Sequence, residues 1–228
     1  MSEENIFSEV DEELRNERMR NMWRKYAPLV IGLALAVILA VAAKEGWEYY
    51  QKAVSSKSSE QYFAAIDFVE QDNVVAAQEA LNIVINEGSG KYPLLAQFRQ
   101  AALLLSEGKN QQAVTAYDAL ATSLSEKRLR DLALLFAANA LVDSGDVAAV
   151  NARIGGFIAS DNSLSIMAEE ILGLTYYANG DLDNARETFA RILLNPQAQS
   201  ASLARAEIYV SQLIAQGAKA PIIGENNN

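Results

Sequence analysis

Cysteine and histidine are both missing from the 228 residues. Disulfides, cysteine nucleophiles, histidine general bases and the common zinc ligand sets are therefore excluded. Proline is scarce, at four residues, so helices can run long without a break. Runs of alternating apolar and polar residues long enough for a strand are also wanting. Basic residues are outnumbered, with 19 Lys and Arg against 29 Asp and Glu, so the electrostatic footprint of nucleic-acid binding is not there. The basic triplet Lys127, Arg128 and Arg130 reads as a solvated helix face. Carboxylate pairs occur at Glu169-Glu170 and Asp181-Asp183, where neighbours one or two apart are ordinarily solvated rather than poised for acid-base chemistry. The chain is accordingly expected to be no enzyme, and to hold no metal and no cofactor.

What is present begins with APLVIGLALAVILAVAA, Ala27 to Ala43, which carries no charge. At ~1.5 Å rise per residue the run covers roughly 26 Å, near the ~30 Å thickness of a bilayer core. Trp23 and Tyr26 precede it and Trp47, Tyr49 and Tyr50 follow it, where aromatic rings settle in headgroup layers. The pattern predicts one membrane-spanning helix over 26–43. Ala40-Val41-Ala42 would suit a signal-peptide cleavage site, but the polar leader is longer than a usual n-region, and the aromatic belt has no purpose on a released chain. An uncleaved signal anchor is expected. Arg15, Arg18, Arg20, Arg24 and Lys25 lie before the run, against Lys44, Lys52 and Lys57 after it. That bias points the N-terminus into the cytoplasm and the remainder across the membrane.

In the leader, 1–25, Ile6, Phe7, Val10 and Leu14 recur at helical spacing, with acidic residues first and basic ones last. It is either a solvated leader or a helix on a membrane or partner surface. Residues 44–58 are expected as a juxtamembrane linker, 59–216 as an all-α domain and 217–228 as a disordered tail. The domain breaks at Gln71-Asp72-Asn73, Glu107-Gly108-Lys109, Ser144-Gly145-Asp146 and Asn179-Gly180-Asp181. Steps of 36, 37 and 35 residues separate Asp72, Gly108, Gly145 and Gly180, the length of a helix-turn-helix unit with its connector.

The fourth unit, LGLTYYANGDLDNARETFARILLNP, places Gly173, Tyr176, Ala185, Phe189 and Pro196 at offsets that resemble the tetratricopeptide repeat. Small residues let two antiparallel helices cross closely, and aromatics fill the space beside the crossing. Matching offsets hold Ala65, Phe68, Ala77 and Leu81 in the first unit and Ala101, Leu104, Ala113 and Tyr117 in the second. The third has Ala138 and Leu141, but Val150 replaces a small residue and Gly155-Gly156 falls inside its second helix, so a short or irregular hairpin is expected there. Gln61, Gln97, Leu134 and Glu169 stand where the family has Trp. The fold expected is a helical-hairpin solenoid of about four degenerate repeats plus a cap helix over 200–216, tethered by one N-terminal transmembrane helix. Repeat positions carried over one by one put Tyr62, Ile66, Phe98, Leu105, Leu135, Leu174 and Tyr177 on the concave face as a partner-binding groove, or else in the core of a tightly wound superhelix.

The layout of charged leader, single anchor, Gly46-Trp47-x-Tyr49-Tyr50 and degenerate repeat domain is similar to the ancillary subunit family of the bacterial Sec translocon. That resemblance implies a single-pass inner-membrane protein whose domain faces the periplasm. It also implies binding to the Sec translocon and to a membrane-anchored periplasmic chaperone of the prolyl-isomerase type, and contact with newly exported chains. A scaffold for another envelope assembly, such as cytochrome maturation or cell-wall and division complexes, is the alternative, because fold alone does not choose the client.

Overall fold

The computed structural model describes residues 3–160 and 162–219, with the side chains of 3–18, 21, 27, 29–31, 34 and 53 outside the description. Two compact units divide the chain, Met1–Lys57 and Ser58–Asn228.

The first unit lies in helix α1, Glu3–Glu70, which is continuous through Pro28. Residues 44–58, expected as a linker, are helical throughout. The reason is local: Gly46 is the only breaker there, and straight-chain residues surround it, with Lys44 paired to Glu48 one turn on at 3.5 Å. Trp23, Tyr26, Trp47, Tyr49 and Tyr50 are all exposed, as are Leu33, Leu35, Val37, Ile38, Leu39 and Val41. The Lys25 ammonium sits 5.7 Å from the centre of the Tyr26 ring. Among the described residues no helix is long and apolar enough to cross a membrane. Five side chains of the expected span, those of 27, 29–31 and 34, lie outside the described set, as do the leader pattern at Ile6, Phe7, Val10 and Leu14 and the expected tail from 220 onward.

The second unit opens with the last turns of α1 and continues as α2 (Val74–Glu87), α3 (Tyr92–Ser106), α4 (Asn110–Ser123), α5 (Lys127–Asn139), α6 (Val147–Ile158), α7 (Ser165–Asn179), α8 (Leu182–Leu194) and α9 (Ser200–Ala215). Each helix packs chiefly on its neighbours in the chain, which makes hairpins stacked in sequence order. The four breaks read from the sequence are the four hairpin turns. Each contains a residue with positive φ: Asp72 at 55°, Gly108 at 73°, Gly145 at 65° and Gly180 at 85°. At Gly145 the demand is double, because a Cβ there would also lie 3.1 Å from the backbone of Asn179. Asn179 in turn donates its side-chain amide to the Gly145 carbonyl at 2.9 Å, locking one turn onto the next. Asn73, Asp146 and Asp181 then cap α2, α6 and α8 by accepting from Ala76, Ala149 and Asn184.

The crossing positions are buried in every hairpin. Ala65, Ala77 and Leu81 form one cluster with Val84, and Ala101, Ala113 and Tyr117 form the next. Ala138 meets Val150 and Ile154 in the third. In the fourth, a Cβ on Gly173 would lie 3.0 Å from two ring carbons of Phe189. In the third hairpin the second helix is short, 12 residues, but the glycines do not break it. Val150 is fully buried and α6 runs unbroken through Gly155-Gly156, because Val150, Ile154 and Phe157 supply enough apolar burial to outweigh the ~1 kcal/mol cost of a helical glycine. Its irregularity lies instead in the turn, where a 3-10 segment, Val142–Ser144, follows α5.

Helix α9 packs on α8 through buried Ala206 and Leu213, with Tyr209 stacked on Phe189 at 4.7 Å and 8°. Gly217, at φ 94°, ends it. Residues 217–219, expected as the start of a disordered tail, are instead held against α8: Ala218 is buried, its carbonyl accepts from Arg186 at 2.9 Å, and the Lys219 N–H donates to Asp183 at 2.7 Å.

Candidate partner-binding groove

The seven residues read as groove-facing fall into four local settings. Tyr62 is half-buried, its ring 6.0 Å from Tyr92 and 5.8 Å from Phe63, and it packs on the Ala65–Leu81 cluster. Ile66, one turn on, is half-buried as well. Phe98 belongs to an aromatic trio, 6.2 Å from Tyr117 and 6.0 Å from Phe136, with Leu105 packed against the same cluster. Burial pushes the Tyr117 phenol up, against the opposing pull of the Arg99 guanidinium. Arg99 Nε is itself buried without a hydrogen-bond partner.

Leu135 and Leu174 are the pair that the fold brings together. Both line a cavity of about 270 Å³ between α5, α7 and α9, with Phe136, Asn139, Met167, Glu170, Ile171 and Arg205. Leu135 is 1 % exposed, so it forms the floor and belongs to the core, whereas Met167 is 45 % exposed at the rim. Glu170 and Arg205 form one wall: the guanidinium donates Nε to Oε1 and Nη2 to Oε2, the latter at 2.9 Å. This fork geometry holds both carboxylate oxygens. Tyr177 lies apart from that cavity, half-buried against α9, where its hydroxyl accepts from the amides of Gln212 at 2.9 Å and Gln216 at 3.2 Å.

Phe136, Met167 and Arg205 were not foreseen as groove residues. A signal for Arg205 exists, because it stands 35 residues after Glu170, one repeat step, but the repeat reading stopped at Pro196. The two carboxylates of Glu169-Glu170 diverge. Glu169 pairs with Arg191 at 3.3 Å beside a second cavity of about 480 Å³ lined by Ile158, Ser160, Ser165 and Pro196, while Glu170 serves the first. Asp181 is spent as a cap and Asp183 receives the Lys219 N–H. In the basic triplet, Lys127 pairs with Asp131 at 2.6 Å and Arg130 donates to the Leu124 and Ser125 carbonyls. Burial pushes the Asp131 carboxyl up, but hydrogen bonds from Lys127 and Asn162 and the charges of Lys127 and Arg130 outweigh it and hold the group below the usual carboxylate range. Among the described residues no three metal-ligating side chains gather.

Stacked antiparallel helix pairs with small residues at each crossing, left-handed turns between arms and an apolar cavity over the first arms define a helical-repeat solenoid of the kind that binds other polypeptides. The chain matches the family model described as tetratricopeptide repeat-like domain over residues 20–219, and it belongs to that family. No curated protein and no solved structure matches it.

Proposed function

We propose that the protein is a membrane-anchored interaction module of the export and periplasmic folding machinery, binding the Sec translocon and a membrane-anchored periplasmic chaperone. It works without catalysis. The observation that carries the interaction role is the apolar cavity between α5, α7 and α9, with Met167 open at its rim, in a chain of the tetratricopeptide repeat-like family. Two further observations support the tether. The family match covers residues 20–219 and so takes in the apolar run at 27–43 along with the repeats. The aromatic residues flanking the run are exposed on α1, as belts at two headgroup layers require.

In this reading the N-terminus is cytoplasmic, α1 crosses a bacterial inner membrane and the repeats face the periplasm. The test combines purification in mild detergent with a photo-crosslinking amino acid at Met167. Adducts to translocon subunits and a prolyl-isomerase-type chaperone are expected. Adducts only to cytochrome-maturation or cell-wall factors would move the protein to another envelope assembly. A reporter active only outside the cytoplasm, fused after Asn228, should be active; an inactive reporter overturns the topology.

A further inference from the structure

Helix α9 has two apolar faces, and the fold uses one of them. Ala206 and Leu213 are buried against α8. About half a turn round the helix, Ala201, Ala204, Ile208, Ser211 and Ala215 are all exposed, Ile208 at 65 %, with Ile214 beside them at 49 %. None of these side chains lines either cavity. Their spacing of 3, 4, 3 and 4 residues is the heptad step of a helix that packs along another helix. A solenoid's last helix ordinarily turns a polar face to water, yet this stripe carries no charge.

The stripe is complementary to itself. When a second copy of α9 is laid antiparallel with Ile208 opposite the partner's Ser211, Ala204 falls opposite the partner's Ala215, and the two-fold axis repeats both pairs. Each isoleucine then meets a small side chain, and alanine against alanine lets the backbones approach closely. Like charges stay apart in this register, because Glu207 lies nearest the partner's Ile214 and Arg205, already held by Glu170, nearest the partner's Gln212. The opposite end of the domain offers no such match. There α1 exposes Glu60 and Asp67 around Ala64, and covering them with the α9 stripe would strand two carboxylates.

We infer that the outer face of α9 is an interface between two copies of this chain, packed antiparallel through Ala204, Ile208, Ser211 and Ala215. The 16 residues of α9 make a helix ~24 Å long, and one such pair buries less than the ~1,200 Å² at which lasting interfaces begin, so the contact is weak and reversible.

The chain has no cysteine, so thiols can be placed one at a time. The test uses the full chain in mild detergent at high protein concentration, as Ala204→Cys and Ala215→Cys forms with tags of different size, treated with a bismaleimide that spans less than two helical turns. In the antiparallel pair Ala204 faces the partner's Ala215, whereas the two copies of Ala204 stand ~16 Å apart along the axis. A crosslinked band is therefore expected in the mixture and in neither form alone. Ile208→Lys, added to both forms, should cut the band at least about tenfold and leave helix content unchanged, because Ile208 is exposed. Bands in each form alone as strong as in the mixture, no band anywhere, or a band that survives Ile208→Lys overturns the inference. So does a band that forms only once residues 220–228 are removed, since the face then belongs to the chain's own end.

Discussion

Replacing Gly173 by alanine sets two effects of opposite sign against each other. Alanine favours a helix interior by ~1 kcal/mol over glycine. Against that, the new Cβ would stand 3.0 Å from two carbons of the Phe189 ring and 3.2 Å from a third. Phe189 is fully buried and stacked face to face on Tyr209 at 4.7 Å, so the ring has nowhere to slide without unstacking. Overpacking of this sort costs ~1–3 kcal/mol, and the net is a loss of about 1 kcal/mol. For a domain of this size that lowers Tm by roughly 2–4 °C. Gly156→Ala is the matched control, since it too lies inside a helix but a Cβ there meets nothing within 4 Å. It should raise Tm by a similar amount, from propensity alone. Thermal melts followed by circular dichroism at the helix band measure both. If Gly173→Ala melts as high as Gly156→Ala, the crossing is not tight, and the packing argument for the fourth hairpin is wrong.

Gly145→Ala should destabilise by about 2 kcal/mol in denaturant titration, because backbone strain at φ 65° adds to a 3.1 Å contact with Asn179. Asp118 and Arg153 make two hydrogen bonds, at 3.0 and 2.6 Å, yet both are partly exposed, so a double-mutant cycle should give a coupling of only about 0.5–1 kcal/mol, smaller in high salt. Asp131 is held below the ordinary carboxylate range, so its contribution is fully present above that range and is lost progressively as pH falls through and below it; the stability gap between wild type and Asp131→Asn should therefore be widest at pH 7 and narrow steadily in acid. Phe98→Ala should cost about 2 kcal/mol by breaking up the trio with Tyr117 and Phe136; unchanged melting with lost partners would instead mark Phe98 as a contact used only in binding.

The turns and crossings were legible because they depend on local chemistry at fixed spacing. A glycine or Asx residue every 35 to 37 positions is what a left-handed turn requires, and a small residue seven positions before it is what a close helix crossing requires. The groove was legible only in part. Repeat offsets put Leu135 and Leu174 on the same face, and both line one cavity, but depth depends on what neighbouring hairpins bring, and a periodic pattern does not carry that. Phe136 packs on the Phe98 cluster and also lines the cavity, since it stands between two hairpins. Arg205 reaches Glu170 from α9, a helix read as a cap. Continuity of α1 through 44–58 was hidden for another reason. Helix propensity without an apolar face says little until the chain on both sides is known to be helical.

Four side-chain links between hairpins span about one repeat: Asp118 to Arg153, Gly145 to Asn179, Glu170 to Arg205, Tyr177 to Gln212. Such wiring makes the domain a ladder whose rungs know only the rungs beside them. Hydrogen exchange in it should fall into steps, slowest in the middle hairpins and fastest in α9, with each hairpin opening as a block. A partner seated across α5, α7 and α9 would clamp three adjacent rungs at the loosest end. Its arrival would then be felt as slowed exchange travelling inward from α9, and a binding event at one end would set how much of the ladder stands upright at any moment.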